Sequence, residues 1–299
     1  MSPNRDVAVV GGGPTGSAAG VFLSRYGLDT VVFDRGNAAL PRAAYVENYP
    51  GFPAGIDIAT LTALLHDHAE SAGCSLVDDL VESVERSEEG FRISTADGRE
   101  LTATYVLAAA WYDGSYLRSL DDDEMFEPHE HHGETEERFD PDYPSVDGRT
   151  PVEGLYVAAP NGGRNAQVVV AAGQGAQVAR SLIEDHRRGE GFPPALATEY
   201  DWLRPESEFT GEWGDRDRWR EWFENEAGDH DLTAERFEEL RERYIDRAFA
   251  TRRTPEEIES LTEAGHRRLA EHLDDEAVLD AVDDEAIRAY VESLDAERF

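Results

Sequence analysis

The sequence predicts an α/β protein in which a parallel sheet with an antiparallel β-meander is followed by an all-helical C-terminal region. Three observations predict it. An apolar run at residues 7–10 meets a glycine-rich turn and then an alanine-rich segment, which is the order strand, turn, helix. Residues 80–106 alternate between apolar and polar side chains around a turn at 97–98. Beyond about residue 192 the apolar residues recur at helical spacing.

The composition restricts the partners. The 299 residues carry a formal net charge of -36, and all 28 basic residues are arginine. This length can hold two domains, each with its own core. So much negative charge repels DNA, RNA and anionic lipid, and we expect no nucleic acid or membrane partner. An acidic chain without lysine is typical of a salt-rich cytoplasm, as in halophilic archaea, because salt screens the self-repulsion.

Cysteine usage and hydropathy predict the compartment. Cys74 is the single cysteine, so the chain has no intramolecular disulfide and no C-x-x-C redox pair. The first strand begins within about six residues, which leaves no room for a signal peptide. No apolar run approaches the ~20 residues of a membrane span. We therefore expect a soluble, cytoplasmic protein.

The glycine turn has the G-x-G-x-x-G spacing of a dinucleotide-binding site. The first glycine makes the tight turn, the second lets the backbone approach a pyrophosphate, and the third lets the helix pack on the strand. The N-terminus of the following helix offers N–H groups and a positive dipole end to the phosphates. An acid ends the second strand (30–33), where it can bind a ribose hydroxyl pair. We predict a Rossmann-like adenine dinucleotide site with Gly11, Gly13, Pro14, Thr15, Gly16, Asp34 and Arg35.

A second segment, E-N-Y-P-G-F-P, occupies residues 47–53. Together with G-G-G-P-T-G and the acid-ended strand, it resembles the FAD domain of thioredoxin reductase-like flavoproteins, in the pyridine nucleotide-disulfide oxidoreductase superfamily. The resemblance implies FAD as the cofactor, with Asn48 against the isoalloxazine ring and the Val81 backbone against the adenine. The alternative for residues 47–53 is a proline-rich turn with a structural role only.

The resemblance continues at residues 154–183, which indicate a strand and then a helix of unusually small residues. They are similar to the family motifs G-[LV]-[FY]-A-A-G-D, R-Q-[AV] and A-G-x-G. The resemblance implies that the backbone of Gln167 and Val168 binds the flavin pyrimidine. It also places Ala109, in a changed A-T-G-A motif, and Pro160 at the cofactor. Because Pro160 replaces the aspartate that holds the ribityl chain, one hydrogen bond of about 1–3 kcal/mol is lost and FAD binding is expected to weaken.

Residues 111–153 are expected to form a polar loop. The family carries its NADPH domain and its redox cysteine pair at this point, and such a domain needs about 100 residues. We therefore predict that the chain lacks an NADPH domain and is not a thioredoxin reductase. His129, His131 and His132 in this loop could reach one zinc or copper ion, but no partner ligand has a defined spacing. Solvated histidines are favoured, and no metal is predicted.

The predicted domains are an FAD-binding domain at residues 1–190 and an acidic helical domain at 195–299. A helix over 58–72 carries His66 and His68, which we interpret as polar-face residues. The resemblance implies a homodimer.

Two functions remain open. One is an FAD-dependent oxidoreductase of unknown substrate, reduced by an external small-molecule or protein electron donor. The other is a non-catalytic flavin domain that acts as a redox or nucleotide sensor or as a structural partner. No side chain stands out as a general acid or base, so no catalytic residue is assigned.

Overall fold

The computed structural model describes residues 4–36, 39–110, 114–131, 134–158 and 167–296. The chain divides into two compact units, of which the first ends at Arg252 and the second begins at Arg253. The strands are β1 Asn4–Val10, β2 Thr30–Phe33, β3 Ser75–Val77, β4 Val81–Ser87, β5 Gly90–Thr95, β6 Glu100–Ala108, β7 Phe126–His131, β8 Glu134–Phe139, β9 Leu155–Val157, β10 Arg204–Pro205 and β11 Arg252–Arg253. The helices are α1 Pro14–Tyr26, α2 Ile58–Ser71, α3 Arg118–Met125, α4 Val168–Gly189, α5 Arg216–Ala227, α6 Ala234–Ala250, α7 Pro255–Ala270, α8 Asp275–Ala281 and α9 Asp284–Ala296.

One sheet organises the first unit. Its strand order is β3-β2-β1-β6-β5-β4, and β9 pairs with the end of β6. Strands β3, β2, β1, β6 and β9 are parallel, whereas β4, β5 and the start of β6 form the antiparallel meander. The predicted α/β fold class is confirmed. The single strand β6 is antiparallel to β5 in the meander and parallel to β1, and it ends at Ala108.

The sheet separates two hydrophobic clusters, because successive side chains of a strand point to opposite faces. In β1, Val7 and Val9 pack on the side of α1 and α4, whereas Ala8 and Val10 pack on the side of the meander. All four side chains are at most 1% exposed. A strand that is buried on both faces accounts for the continuous apolar run in the sequence.

Helix α4 packs closely on α1 at a glycine. A Cβ on Gly175 would lie 1.9 Å from the carbonyl oxygen of Thr15, a distance that no side chain can occupy. The small residues of this helix therefore allow its backbone to approach that of α1. The same contact brings the N-terminal halves of both helices together at one end of the sheet.

The segment between β6 and β9 differs from the predicted loop. Its described residues contain α3 and an antiparallel hairpin of β7 and β8, in which Phe126 pairs with Phe139 at a ring distance of 5.7 Å. The loop prediction was wrong there because the strands are short and mostly polar, with few apolar residues to mark an alternation. Near the end of the chain, α8 and α9 are separate helices, since the carboxylate of Asp283 accepts the N–H of Glu285 and starts α9.

Residues 195–252 contact helices α1 and α4 and belong to the same compact unit as the sheet, although the predicted domain boundary lies at 190–195. The side chain of Arg187 in α4 is 1% exposed, stacks on Phe192 and forms an ion pair of 2.8 Å with Glu199. Arg247 of α6 donates to the carbonyl of Tyr26 at 3.0 Å. These contacts tie α6 to α1 and α4, which explains why the compact unit extends to Arg252.

The second unit consists of α7, α8 and α9. Thr254 and Glu257 form a capping box at the start of α7, and Asp274 caps α8. No described side chain between residues 253 and 294 is buried. Among the described residues of the whole chain, no helix combines the length and the apolarity needed to cross a membrane.

Candidate functional site

Four chain segments of the candidate site leave the sheet at the same edge. Asp34, Gly11, Ala109 and Ala158 directly follow β2, β1, β6 and β9. Each donates its N–H to the last residue of the neighbouring strand, at 2.9, 2.9, 2.8 and 2.8 Å. These are the carboxyl ends of parallel strands, where open α/β sheets bind their ligands.

The turn after β1 leaves no room for side chains. Gly11 has a φ of 112°, and a Cβ there would lie 2.9 Å from the backbone of Ala109. A Cβ on Gly12 would lie 2.3 Å from the Cβ of Asp34, and one on Gly16 would lie 1.7 Å from the carbonyl oxygen of Gly11. The turn therefore makes the close backbone approaches that its glycine spacing predicts.

Helices α1 and α4 both begin at this edge, and no acidic side chain lies in the first turn of either, at the positive end of the helix dipole. Gly13 is the N-cap of α1, and Pro14 takes the first helical position, where a helix has no use for an N–H. Gln167 is the N-cap of α4. Neither first turn contains an acidic residue, although the chain has 64 of them. Both helix ends are therefore able to attract an anion.

Asp34 is held by its own chain. One carboxylate oxygen accepts the N–H of Gly36 at 3.0 Å, and the other lies 3.0 Å from Nε2 of His66. The side chain of Asp34 is 13% exposed, so it keeps a path to solvent. The hydrogen bond from His66 lowers the pKa of this carboxyl, and Asp34 in turn raises the pKa of His66. The neighbouring Arg35 is exposed.

His66 is the site residue that sequence reasoning missed. Its Nε2 also lies 3.0 Å from the carbonyl oxygen of Gly12. Because both neighbours are acceptors, Nε2 carries a hydrogen. The polar-face interpretation suits the exposed His68 but is wrong for His66, which turns toward the glycine turn. One sequence signal does indicate this orientation. His66 is at helical spacing from the buried Ala69 and the half-buried Thr62, which places it at the border of the apolar face of α2.

Residues 46–56 form a compact loop beside α2. Val46 and Ile56 exchange two backbone hydrogen bonds, of 3.0 and 2.9 Å. Within the loop, Pro50 and Gly51 occupy the two central positions of a turn, and Gly51 has a φ of 110°. A proline followed by a residue with positive φ is typical of a type II turn. The E-N-Y-P-G-F segment is therefore rigid, and its apolar residues pack with α2.

A hydrogen bond joins this loop to the start of α4. The side-chain N–H of Asn48 donates to Oε1 of Gln167 at 2.6 Å, across 119 residues of sequence. The next residue, Val168, packs in the same cluster as Tyr49 and Phe52. The structure thus brings together the two segments that the resemblance places at the flavin ring.

The remaining predicted site residues fall in three groups. Val81 is buried in the same cluster as Phe33, so its side chain serves the core. Pro160 and His132 lie outside the described residues, as does the Ala159 that precedes Pro160. His129 and His131 lie in β7, and the described residues contain no cluster of three side chains suited to a metal ion. The absence of a metal stays a prediction.

Comparison with known proteins finds a matching family profile, relatives in sequence and a similar solved structure. A family profile described as an FAD binding domain matches residues 4–50. The thioredoxin reductase of Aquifex aeolicus (strain VF5) is 31% identical over 107 residues, which are 35% of this chain and 33% of that protein. The thioredoxin reductase of Rickettsia bellii (strain RML369-C) is 28% identical over 119 residues, or 39% of this chain and 38% of that protein. The chain is therefore similar to an FAD binding domain and to part of these thioredoxin reductases.

The fold comparison finds a solved structure with a similar fold. The structure of a thioredoxin reductase from Gloeobacter violaceus superimposes with a TM-score of 0.52 at 16% identity, covering 68% of this chain and 100% of that chain. The chain spans about one third of the length of the curated relatives it matches. The FAD-binding profile and these relatives indicate that the chain binds FAD.

The residues present fit this cofactor. The glycine turn and two acid-free helix ends suit a pyrophosphate, and the carboxylate of Asp34 retains lone pairs for ribose hydroxyls after its two internal hydrogen bonds. Asn48 and Gln167 present amide groups of the type that pair with a flavin pyrimidine. FAD thus accounts for the polar groups at this edge of the sheet.

Proposed function

We propose that this chain is an FAD-dependent oxidoreductase that receives its electrons from an external donor. The hydrogen bond between Asn48 and Gln167 carries the proposal. It joins two segments, far apart in sequence, to both of which the resemblance assigns the flavin ring. A structural turn at residues 47–53 would not need an amide pair at the start of α4.

Each element has a distinct part in holding the cofactor. When bound, FAD supplies reversible one- and two-electron redox chemistry at its ring. The N–H groups at the start of α1 bind the pyrophosphate, and Asp34 accepts the hydroxyls of the adenosine ribose. The start of α4, with Asn48 beside it, orients the pyrimidine edge of the ring. The chain's own residues bind and orient, and none of them is assigned a proton transfer.

The electron donor is proposed to come from outside this chain. Between β6 and β9 the described residues form α3 and the β7–β8 hairpin, and the sequence there is shorter than the ~100 residues of a nucleotide domain. Free NAD(P)H or a protein donor would then reach the flavin directly. Dimerisation and a cytoplasmic location belong to the same proposal.

A second candidate is a flavin domain without catalysis, which senses redox state or nucleotide or supports a partner. The sequence change to Ala159-Pro160 favours it, because proline offers neither a carboxylate nor an N–H to the ribityl chain. In that case FAD binds but no physiological donor reduces it at a useful rate.

Absorption spectroscopy in molar KCl tests both candidates. The purified protein, before and after addition of FAD, should show flavin bands that stay with the protein on gel filtration. Gly12→Ala should abolish them, because its Cβ would collide with Asp34, whereas Gly173→Ala, with no atom within 4 Å of its Cβ, should keep them. Circular dichroism checks that both variants fold.

Anaerobic addition of NADH, NADPH or reduced ferredoxin then separates the candidates. Rapid bleaching by one donor supports the oxidoreductase. Bleaching by dithionite alone supports the non-catalytic domain. A wild-type protein that is colourless and ignores added FAD would contradict the proposal.

A further inference from the structure

His66 contacts both halves of the dinucleotide site at once. Its Nε2 lies 3.0 Å from Oδ2 of Asp34, the ribose acceptor, and 3.0 Å from the carbonyl oxygen of Gly12 in the phosphate turn. Its side chain is 22% exposed, so it is fixed between these groups while remaining open to protons from solvent. Asp34 lies at the end of β2 and Gly12 after β1, and His66 is the side chain that bridges them.

The bridge also orients a backbone N–H. The carbonyl of Gly12 accepts a hydrogen bond of 2.9 Å from the hydroxyl of Ser17 and faces His66. In a planar trans peptide the C=O and the following N–H point in opposite directions. Holding this carbonyl therefore directs the N–H of Gly13 away from His66, as a donor for a ligand at the start of α1.

Charge gives His66 a second effect. With a neutral imidazole, Asp34 leaves a net charge of about -1 beside the position of the pyrophosphate dianion. With an imidazolium the pair is neutral. His66 is the cationic side chain that lies directly on the carboxylate of Asp34, at 3.0 Å. The local charge therefore depends on the proton of His66.

The other charged groups around His66 do not reverse this effect. Glu70, one turn along α2, acts on it in the same direction as Asp34. Helix α1, which packs on α2, has a charged side chain only at Arg25, and this pairs with Asp201. Strand β3 has no charged residue, and the thiol of Cys74 before it lies 3.2 Å from the hydroxyl of Ser24.

We propose that His66 is a positioning residue for the cofactor: its Nε2–H holds Asp34 and Gly12 in the arrangement that receives ribose and pyrophosphate, and its positive charge favours the bound dianion. The inference rests on the proposed FAD binding. FAD affinity then falls as the pH rises through the pKa of His66. The hydrogen bond with Asp34 raises that pKa, so the loss begins above the usual range of histidine.

Fluorescence titration of FAD between pH 5.5 and 9, in molar KCl, tests this. The wild type should bind about tenfold more tightly at the acid end, the effect of one unit charge in a partly screened site. His66→Gln keeps an N–H donor without titrating, so it should equal the wild type at pH 9 and show no pH dependence. His66→Ala should be about fivefold weaker than the wild type at pH 9, from the loss of one hydrogen-bond donor, and also independent of pH.

The matched control is His68→Ala on the exposed side of the same helix, which should keep both the affinity and the pH profile of the wild type. If His66 had only a structural role, His66→Ala would bind FAD more weakly but with the same pH dependence as the wild type. That result, or a wild-type affinity that does not vary with pH, would overturn the inference.

Titration of the cofactor-free protein by NMR separates this inference from the proposed function. The pKa of His66 should lie above the ordinary value in the wild type and fall toward it in Asp34→Asn. If FAD binds but this shift is absent, the bridge is refuted and the proposed function stands. If FAD does not bind at any pH, the proposed function fails, and the cofactor role of His66 fails with it.

Discussion

The two compact units contain similar helices that are stabilised in different ways. In the first unit, α1 and α4 are held by burial: eight residues of each are buried, and their backbones touch at Gly175. In the second unit, α7 and α8 have well-formed caps and no buried residue. Its 47 residues carry 5 arginines against 15 acidic residues. Helical sequence signals are therefore equally clear in both units, but only the first adds tertiary packing.

This difference determines which substitutions change the stability of a helix. A helix without tertiary contacts depends on its intrinsic propensity and its caps, and short isolated helices are marginal in water. A helix that is packed against a sheet depends on shape, since cores are as dense as organic crystals. The proposed cofactor site lies entirely in the first unit, where the helices are packed against the sheet.

The largest expected effect comes from a methyl group at the contact of α1 and α4. Gly175→Ala should lower the free energy of unfolding of the first unit by about 3 kcal/mol, because the added Cβ collides with the carbonyl of Thr15. Gly173→Ala, two residues away in the same helix with open space around it, is the control. Urea unfolding followed by tryptophan fluorescence measures both. Equal midpoints for the two variants would show that the helices are less closely packed than described.

A ligand should affect the two units unequally. At the proposed site, FAD binds the folded protein at the edge of the sheet, so its addition should protect the amides of β1, α1 and the start of α4 against hydrogen exchange. The amides of α7–α9 should exchange rapidly, with or without FAD, because none of the described side chains in these helices is buried. Mass spectrometry of deuterium uptake reports both. Strong protection of α7–α9 after FAD addition would contradict the expectation that the ligand stabilises only the first unit.

The smallest effect should have the opposite sign. Gly265→Ala in α7 places a methyl group in open space and replaces a poor helix former. It should slow the exchange of α7 by an amount equivalent to about 1 kcal/mol and leave α1 unchanged. The same substitution type thus destabilises one helix and stabilises another. A loss of protection in α7 would indicate a contact at Gly265.

Features that depend on neighbouring residues could be predicted from the sequence, whereas contacts between distant segments needed the fold. The tight glycine turn and the position of Asp34 after β2 were predictable because they depend on spacing along one β-α-β unit. Asn48 and Gln167 were each found by resemblance, but their hydrogen bond across 119 residues needed the fold. The β7–β8 hairpin was missed because its strands are mostly polar, and the Phe126–Phe139 pair that supports it forms only once the strands are in register.

The sequence by itself determined the fold class, the order of the N-terminal elements and the position of the glycine turn, since glycine spacing and apolar periodicity act through neighbours in the chain. The tertiary structure alone decided which way α2 faces, and with it that His66 meets Asp34 and Gly12. It also decided that residues 195–252 contact α1 and α4 and belong to the same compact unit as the sheet. Contacts of this kind depend on the packing of distant segments, which no local pattern encodes.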